Sequence, residues 1–536
     1  MFRQTATFFR LLRTGWVLSR HDAMVPREYD AFVPGFTKVV GAVSRVLAFN
    51  FGGNPKANPG ERLADALTEL GPAYIKFGQV LATRGDMFDA DFVRGLSKLK
   101  DRVPPFSQAE AEARLEAEWG EPWTARLAEL SPPVAAASIA QVHQARLHPT
   151  PERPQGERVA VKILRPDIEV RMRRDMDVIH MLARAARSLS PFMRRLRPVE
   201  FVAEARRAVS MELDLRLEAA AASEMMEAAT ETGLFSVPAI HWELGGKSVL
   251  VSEWVDGTAL SDPAILELPQ AARSDLARRV MQSFLVCSFD YGVFHADMHE
   301  GNMIMRGPDS DRAGELVLLD FGILGRLEMR EQRFHTEILF GFVRRDYRRI
   351  AEIHFEAGYV PEGHSIDDFA SALRAVGEPI WGKNANQVPM HKVLLHLFEI
   401  TELFDMPLQP QLILLQKTMM QSEGVCRRLD PDFDMWAVAR PVVEASIRGQ
   451  YGLDSQIGGL LHNFRQARRV LETLPQATEN LARLAQAWSD GEIDLSGRVE
   501  VEERGGWAAF GKGAALVGAG AAVALGVQAV AAGGGW

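Results

Sequence analysis

Phe294-His295-Ala296-Asp297-Met298-His299-Glu300-Gly301-Asn302, followed by Leu318-Leu319-Asp320-Phe321-Gly322, is the stretch on which the reading of this chain turns. The first run places a carboxylate five residues ahead of an amide. The second puts another carboxylate at the end of an apolar strand, just before Phe-Gly. Phosphoryl transfer needs this set. One carboxylate takes or orients a proton, and two oxygen ligands hold Mg²⁺ on the phosphates. Asp297 is the candidate base, with Asn302 and Asp320 the candidate metal ligands. Each run alone could be an ordinary turn. Their order, with a strand leading into the second, gives them meaning together.

The Asp-x-x-x-x-Asn spacing resembles the catalytic loop of protein kinases, and Asp-Phe-Gly resembles their metal-binding turn. Upstream, the strand Val159-Ala160-Val161-Lys162-Ile163 carries a Lys at an alternating position, free to point into a cleft between apolar neighbours. Kinases set such a Lys on the α/β-phosphates. Val251-Ser252-Glu253-Trp254-Val255-Asp256-Gly257 resembles the hinge between kinase lobes. There Glu253 and Val255 would meet adenine through backbone groups, so only position argues for them.

Composition bounds the rest. The 536 residues allow several domains and a sizeable core. The net charge of −9 argues against a general nucleic-acid binder, whose phosphate affinity rests on a Lys/Arg excess. Cys287 and Cys426 are the whole cysteine complement, which fits a reducing compartment and offers no disulfide framework. Residues 1–20 alternate aromatic and aliphatic side chains with Arg3, Arg10, Arg13 and Arg20. That pattern predicts an amphipathic helix, lying on an anionic membrane surface or packed on its own domain. A mitochondrial presequence has a similar pattern, whereas a secretory signal would need a longer apolar core and a cleavage site. The Gly, Asn and Pro residues of 52–60 predict a linker.

Two helices are expected next, Glu61–Leu70 and Ala73–Thr83, broken at Gly71-Pro72. On the second, Lys76 and Gln79 share a face, and Gly78 would let another backbone come close. Thr83-Arg84 follows, then Leu96-Ser97-Lys98-Leu99-Lys100-Asp101-Arg102-Val103-Pro104-Pro105-Phe106. In that order these segments closely resemble the UbiB/AarF/ADCK family of atypical kinases, a resemblance covering about residues 60–345. It implies roles that spacing alone does not give. The Ala135-Ala136-Ala137-Ser138 run, which propensity alone would read as helix, becomes an Ala-rich replacement for the Gly-rich phosphate loop, stiffened by its Cβ atoms. Glu218 becomes the helix-borne partner of Lys162. Glu212 and Asp214 become a Glu-x-Asp motif facing the Lys-x-Gly-Gln helix, so that Lys76, Gln79, Glu212 and Asp214 gate the cleft. The catalytic loop departs from the usual His-Ala-Asp-Pro-His-Pro-Gly-Asn, carrying Met298 and Glu300 where the family has prolines. Phe235–Ile240 and Lys247–Ser252 are expected to be strands.

The expected fold class is α+β: a bilobal protein-kinase-like fold with an N-terminal helical extension, an enlarged helical C-lobe and a C-terminal transmembrane helix. The expected divisions are an amphipathic segment and linker (1–60), a helical extension (61–130) and an N-lobe (131–257). A C-lobe core (258–345), a helical region (346–504) and a membrane-spanning tail (505–536) follow. After Lys512 the tail has no charged residue and Gln528 as its one clearly polar side chain. That length spans a bilayer. Gly518, Ala522 and Gly526 suit close packing of helices in lipid, and Arg504 and Lys512 would stay cytoplasmic. A disordered Gly/Ala tail is the alternative. Leu and Met stripes such as Leu412–Met420 read as core. No Ala-Pro-Glu triplet or long activation segment follows Gly322, which argues against a docked polypeptide substrate. The resemblance implies ATP and Mg²⁺ as cofactors, and an inner-membrane location on the cytoplasmic face (mitochondrial in a eukaryote). Its expected partners are polyprenyl precursors and the enzymes of ubiquinone biosynthesis, with no nucleic acid and with room for a homodimer. Phosphotransfer to a small molecule or protein and a non-catalytic lipid-binding scaffold are the competing readings.

Overall fold

The computed structural model describes residues 2–23, 58–82, 90–96, 99, 103–189, 197–381, 396, 399–401, 403–406 and 410–451. All of these fall in the compact unit that runs to Gly452. Thr83-Arg84, part of the Leu96–Phe106 run, and the tail at 505–536 lie outside the described residues. Among the described residues no helix is long and apolar enough to cross a membrane.

Helix α1 (Phe2–Arg20) forms where the amphipathic pattern places it. Several of its arginines serve the fold itself: Arg10 pairs with Asp175, Arg20 with Glu69, and Arg13 donates to the Glu69 carbonyl. Val17 is buried, while Phe9, Leu12 and Trp16 remain exposed. Helix α2 (Pro59–Leu70) begins inside the stretch expected to be linker. Asn58 caps it by accepting the Glu61 N–H at 2.8 Å, and Pro59 supplies the fixed φ of a first helical residue. Helix α3 (Pro72–Ala82) carries the Lys-x-Gly-Gln motif, and α4 (Ala90–Leu96) packs beside α2. At Gly78 a Cβ would collide with the side chains of Leu67 and Leu99, so the close approach is made by leucines rather than by another backbone. Helix α5 (Gln108–Trp119) starts with a reciprocal Ser107–Glu110 capping box.

Four antiparallel strands follow in the order β1-β2-β3-β4: β1 (Leu127–Ala136), β2 (Ala140–Leu147), β3 (Arg158–Leu164) and β4 (Val249–Glu253). Alternation along β3 turns Val159, Val161 and Ile163 into the core shared with Ala111 and Leu115 of α5, and leaves Lys162 on the other face. Between β3 and β4 the chain makes α6 (Ile168–Leu189), α7 (Pro198–Glu212) and α8 (Leu215–Thr232). Helices α3, α6 and α7 share one core, in which Phe77 meets Phe201 edge-on. The expected strand at Phe235–Ile240 does not form. Only isolated bridges join Ser236 to Val317 and Ile240 to Ser252, because Pro238 has no N–H to extend a ladder.

The remainder is helical around short strands: β5 (Gly257–Ala259), α9 (Gln270–Val286), β6 (Val293–His295), β7 (Met303–Arg306), β8 (Leu316–Leu318) and β9 (Leu324–Arg326). Helices α10 (Met329–Arg344), α11 (Tyr347–Glu356), α12 (Ile366–Trp381), α13 (Pro410–Leu429) and α14 (Met435–Tyr451) follow. Sheets β5-β7-β8 and β6-β9 carry the two loops of interest at their ends. Pairing of β6 with β9 sets Phe294 opposite Gly325, whose missing side chain makes room for the fully buried Phe294 ring. Gly325→Ala is therefore expected to lower stability by about 1–3 kcal/mol through overpacking. Chemical denaturation would show it as a lower midpoint with an unchanged slope.

Candidate active site

Lys162 is the centre of the site. Its ammonium lies 2.6 Å from Glu218 Oε1 and 3.1 Å from Asp320 Oδ1, so β3, α8 and the loop after β8 meet at one charge. Burial pushes the Lys162 pKa down, but the carboxylates of Asp320 and Glu218 more than offset this and hold it well above the usual lysine value. Glu218 is raised to about 7 by burial, against the pull of Lys162. Asp320 is the most acidic member. The Lys162 charge holds its carboxyl well below the usual carboxylate range, with Lys76 and His295 adding to the effect. Asp320 has φ 61°, a left-handed conformation that an Asp tolerates better than most residues, and its side chain is half-exposed to the cleft.

His295 joins the two loops. Its Nε2 donates to the Leu319 carbonyl at 2.9 Å, and its Nδ1 accepts the Asp297 N–H at 3.1 Å. Burial lowers its pKa and so favours the neutral ring that this pair of bonds requires. Asn302 donates through Nδ2 to the Asp297 carbonyl at 3.1 Å, with Asp297 Oδ2 at 3.5 Å. That use of the amide nitrogen leaves Oδ1 as the atom that could ligate a metal. Asn302 Oδ1 and the Asp320 carboxylate form an all-oxygen donor set, which fits Mg²⁺ held by a few protein oxygens together with phosphates. Among the described residues no cluster of three His, Cys, Asp or Glu could hold a metal by itself.

The residues expected to gate the cleft separate. Lys76 Nζ lies 2.8 Å from Glu212 Oε2, and Gln79 follows on the same helix, half-buried. Asp214 does not join them. It caps α8, accepting from the Arg216 N–H at 3.2 Å and from its guanidinium at 2.6 and 2.8 Å. The reason is local: α7 ends at Glu212 and α8 starts at Leu215, which turns the two acids of the motif in different directions.

The alanine run is neither helix nor open loop. Ala135 and Ala136 end β1, and Ala137 closes a tight turn by donating its N–H to the Ala140 carbonyl at 2.8 Å. Arg165 ties the turn down, donating to the Ala137 and Val103 carbonyls. Ser138, the last residue of the expected phosphate loop, is fully buried, and its hydroxyl has no hydrogen-bond partner. The Glu253 carboxylate is taken by Arg306 at 2.7 Å and Val255 is buried, which leaves backbone as the means of any adenine contact.

Met298 and Glu300, standing where the resemblance leads one to expect prolines, are held from outside the loop. Met298 is buried with the Ser422 hydroxyl on its sulfur at 3.5 Å, and Glu300 pairs with Arg428. Arg428 also donates to the Leu260 and Ser261 carbonyls at 2.7 and 3.1 Å. These contacts come from α13, as do a Thr418 bond to the Ala296 carbonyl and a Gln421 bond to Asp297. Sequence reasoning took this helix for core alone. Leu415 is indeed buried, but polar residues on the same face reach the catalytic loop. A Lys and a Gln four apart within a Leu/Met-rich helix was the available signal.

A strand lysine held by a helix glutamate and by the aspartate of an Asp-Phe-Gly turn, beside an Asp–Asn loop, defines a kinase-like nucleotide site. Comparison with known proteins gives the family. Residues 98–354 match the ABC1 atypical kinase-like domain and residues 373–434 match the UbiB helical domain. A probable protein kinase UbiB from Marinobacter nauticus is 36% identical over 492 residues, covering 91% of this chain and 87% of the relative. One from Pseudomonas aeruginosa is 38% identical over 431 residues, covering 80% and 78%. The chain belongs to the UbiB family of atypical kinase-like proteins. A solved structure of Rv3197 with erythromycin, from Mycobacterium tuberculosis, aligns over 76% of this chain and 98% of that one, at TM-score 0.46 and 22% identity.

Proposed function

We propose that this protein is a Mg-ATP-dependent ATPase or phosphotransferase of bilobal kinase-like fold. On this reading it works at the cytoplasmic face of a membrane in support of ubiquinone biosynthesis, on or near polyprenylated precursors and the enzymes that handle them. The observation that carries the reading is Lys162 held between Glu218 and Asp320, with Asp297 and Asn302 on the adjoining loop. Lys162 would hold the α/β-phosphates, Asn302 and Asp320 the Mg²⁺, and Asp297 would orient the attacking hydroxyl or water. Bound Mg²⁺ supplies charge neutralisation on the phosphates. The intact lysine–glutamate pair weighs against a purely non-catalytic scaffold. From Gly322 the chain passes through β9 straight into α10, leaving little length on which to dock a polypeptide. That favours water or a small lipid as acceptor. The tail at 505–536 would anchor the protein. An ATP-loss assay with and without anionic lipid vesicles tests the reading. Turnover that needs Mg²⁺ and rises with lipid is expected, and no ATP loss under either condition would overturn it.

Lys76 is the restraint in this picture. Its ammonium is tied to Glu212 and lies near enough to Asp320 to lower the Asp320 pKa. Lys76→Ala is expected to change nucleotide affinity about tenfold and to raise autophosphorylation. Lys76 is a surface residue only if both stay unchanged in a variant that melts like the wild type.

A further inference from the structure

We propose that α13 completes the active site: Lys417 is the cation that meets the transferring phosphoryl group, and Gln421 is a positioning residue for Asp297. The proposal rests on the nucleotide-dependent reading above.

The catalytic loop, Asp297-Met298-His299-Glu300-Gly301-Asn302, has no permanently charged cation of its own. Lys162, paired with Glu218 and Asp320, is assigned to the α/β-phosphates rather than to the transferring group. Phosphoryl transfer places charge on the equatorial oxygens of the moving group, beside the acceptor that the base orients. A cation on the Asp297 side of the cleft would meet that charge together with the proposed Mg²⁺, and α13 supplies one. Lys417 Nζ lies 3.9 Å from Asp297 Oδ1 with its side chain 42% exposed. That distance is too long for a hydrogen bond, so the ammonium is near the base without being bound to it. The same Oδ1 accepts the Gln421 Nε2–H at 3.2 Å. Asp297 Oδ2 turns the other way, toward Asn302 Nδ2 at 3.5 Å and His299 Nε2 at 3.7 Å. The two oxygens thus have separate neighbours, α13 on one side and the loop on the other.

Lys417 and Gln421 are i,i+4 on α13, and their face of the helix is fixed to the loop at further points. The Thr418 hydroxyl donates to the Ala296 carbonyl at 3.2 Å, Ser422 reaches the Met298 sulfur, and Arg428 holds Glu300. One turn beyond Ser422, Cys426 Sγ donates to the Ala277 carbonyl at 3.1 Å. This packing sets the helix backbone relative to Asp297, so the lysine stem starts from a fixed point. Gln421 Oε1 is buried without a hydrogen-bond partner, so the donated bond to Asp297 is the polar contact that orients the amide. In the step itself, the acceptor oxygen forms a bond to the γ-phosphorus while the bond from that phosphorus to the β–γ bridging oxygen breaks. ADP leaves with that electron pair, and the acceptor proton passes to Asp297. Lys417 then faces the γ-phosphoryl oxygens, which ADP lacks.

That last point supplies a test independent of turnover. In the full-length protein, Lys417→Ala and Lys417→Gln are expected to cut the preference for a non-hydrolysable ATP analogue over ADP about tenfold, leaving ADP affinity unchanged. They should also lower kcat about 100-fold, as loss of one charge-stabilising group does, with Lys417→Arg restoring part of both. Gln421→Ala is expected to lower kcat about tenfold while leaving the KM for ATP and the ATP-over-ADP preference unchanged. A folded Lys417→Gln protein with wild-type discrimination and wild-type kcat overturns the proposal. If the wild type turns over no ATP at all, the proposed function fails, and the ATP-over-ADP preference in the variants still decides whether Lys417 faces the γ-phosphate.

Discussion

Asp320→Asn is expected to lower ATP turnover about 10³-fold, the several kcal/mol that a correctly held metal ion contributes to the transition state. The variant is suited to the question because the fold should accept it. Asn has the shape of Asp and tolerates the left-handed conformation that position 320 adopts at φ 61°. Lys162 keeps its 2.6 Å partner Glu218, so the central ammonium is not left bare. What disappears is the carboxylate proposed to hold Mg²⁺. ATP should still bind, but with an affinity that no longer responds to Mg²⁺, and isothermal titration with and without Mg²⁺ measures that. Unchanged turnover in a folded Asp320→Asn protein would remove Asp320 from the chemistry.

Lys162→Met should damage both activity and stability, and the stability loss should depend on pH. Removing the ammonium takes away the charge opposite Glu218, whose side chain is only 10% exposed. Breaking one partner of a buried pair costs about 3–5 kcal/mol when the remaining charge cannot neutralise. Glu218 can neutralise, because burial already raises it from 4.5 to about 7. The sign follows from linkage. An acid with a raised folded pKa binds its proton more tightly in the folded state. Its contribution to stability is therefore full below the unfolded value and lost as pH rises through the folded value. With Lys162 gone the folded value rises further, so the variant should lose clearly more stability near pH 8 than near pH 5, where the loss of the Lys162–Asp320 pairing remains. Melting temperatures at the two pH values check this. Equal destabilisation at both would mean that Glu218 is not the group left exposed to the loss.

The sequence carried the chemistry of the site but not its boundary. Asp297, Asn302 and Asp320 could be picked out because phosphoryl transfer restricts residue type and spacing within short loops. Lys162 was legible because alternation along a strand fixes which face a side chain takes. Asp214 was misplaced because a helix break at Leu213 reorients one acid of the Glu-x-Asp pair, and nothing in the local spacing announces that break. Phe235–Ile240 was read as strand from its apolar pattern, although Pro238 within it denies the ladder a donor.

Helix α13 shows the same division most clearly. Its leucines and methionines place it in the core, which an apolar pattern can say. That Lys417, Thr418, Gln421, Ser422 and Arg428 lie against a loop more than a hundred residues earlier is a long-range fact, fixed by how α13 packs on α9. Local sequence determined which residues are proposed to hold Mg-ATP, because the proposed roles depend on residue type and near neighbours. Tertiary packing decided what surrounds them, namely the Arg428 and Ser422 contacts in place of the missing prolines, and the lysine beside Asp297. Contacts between distant segments leave no periodicity in the chain, and only the folded core brings them together.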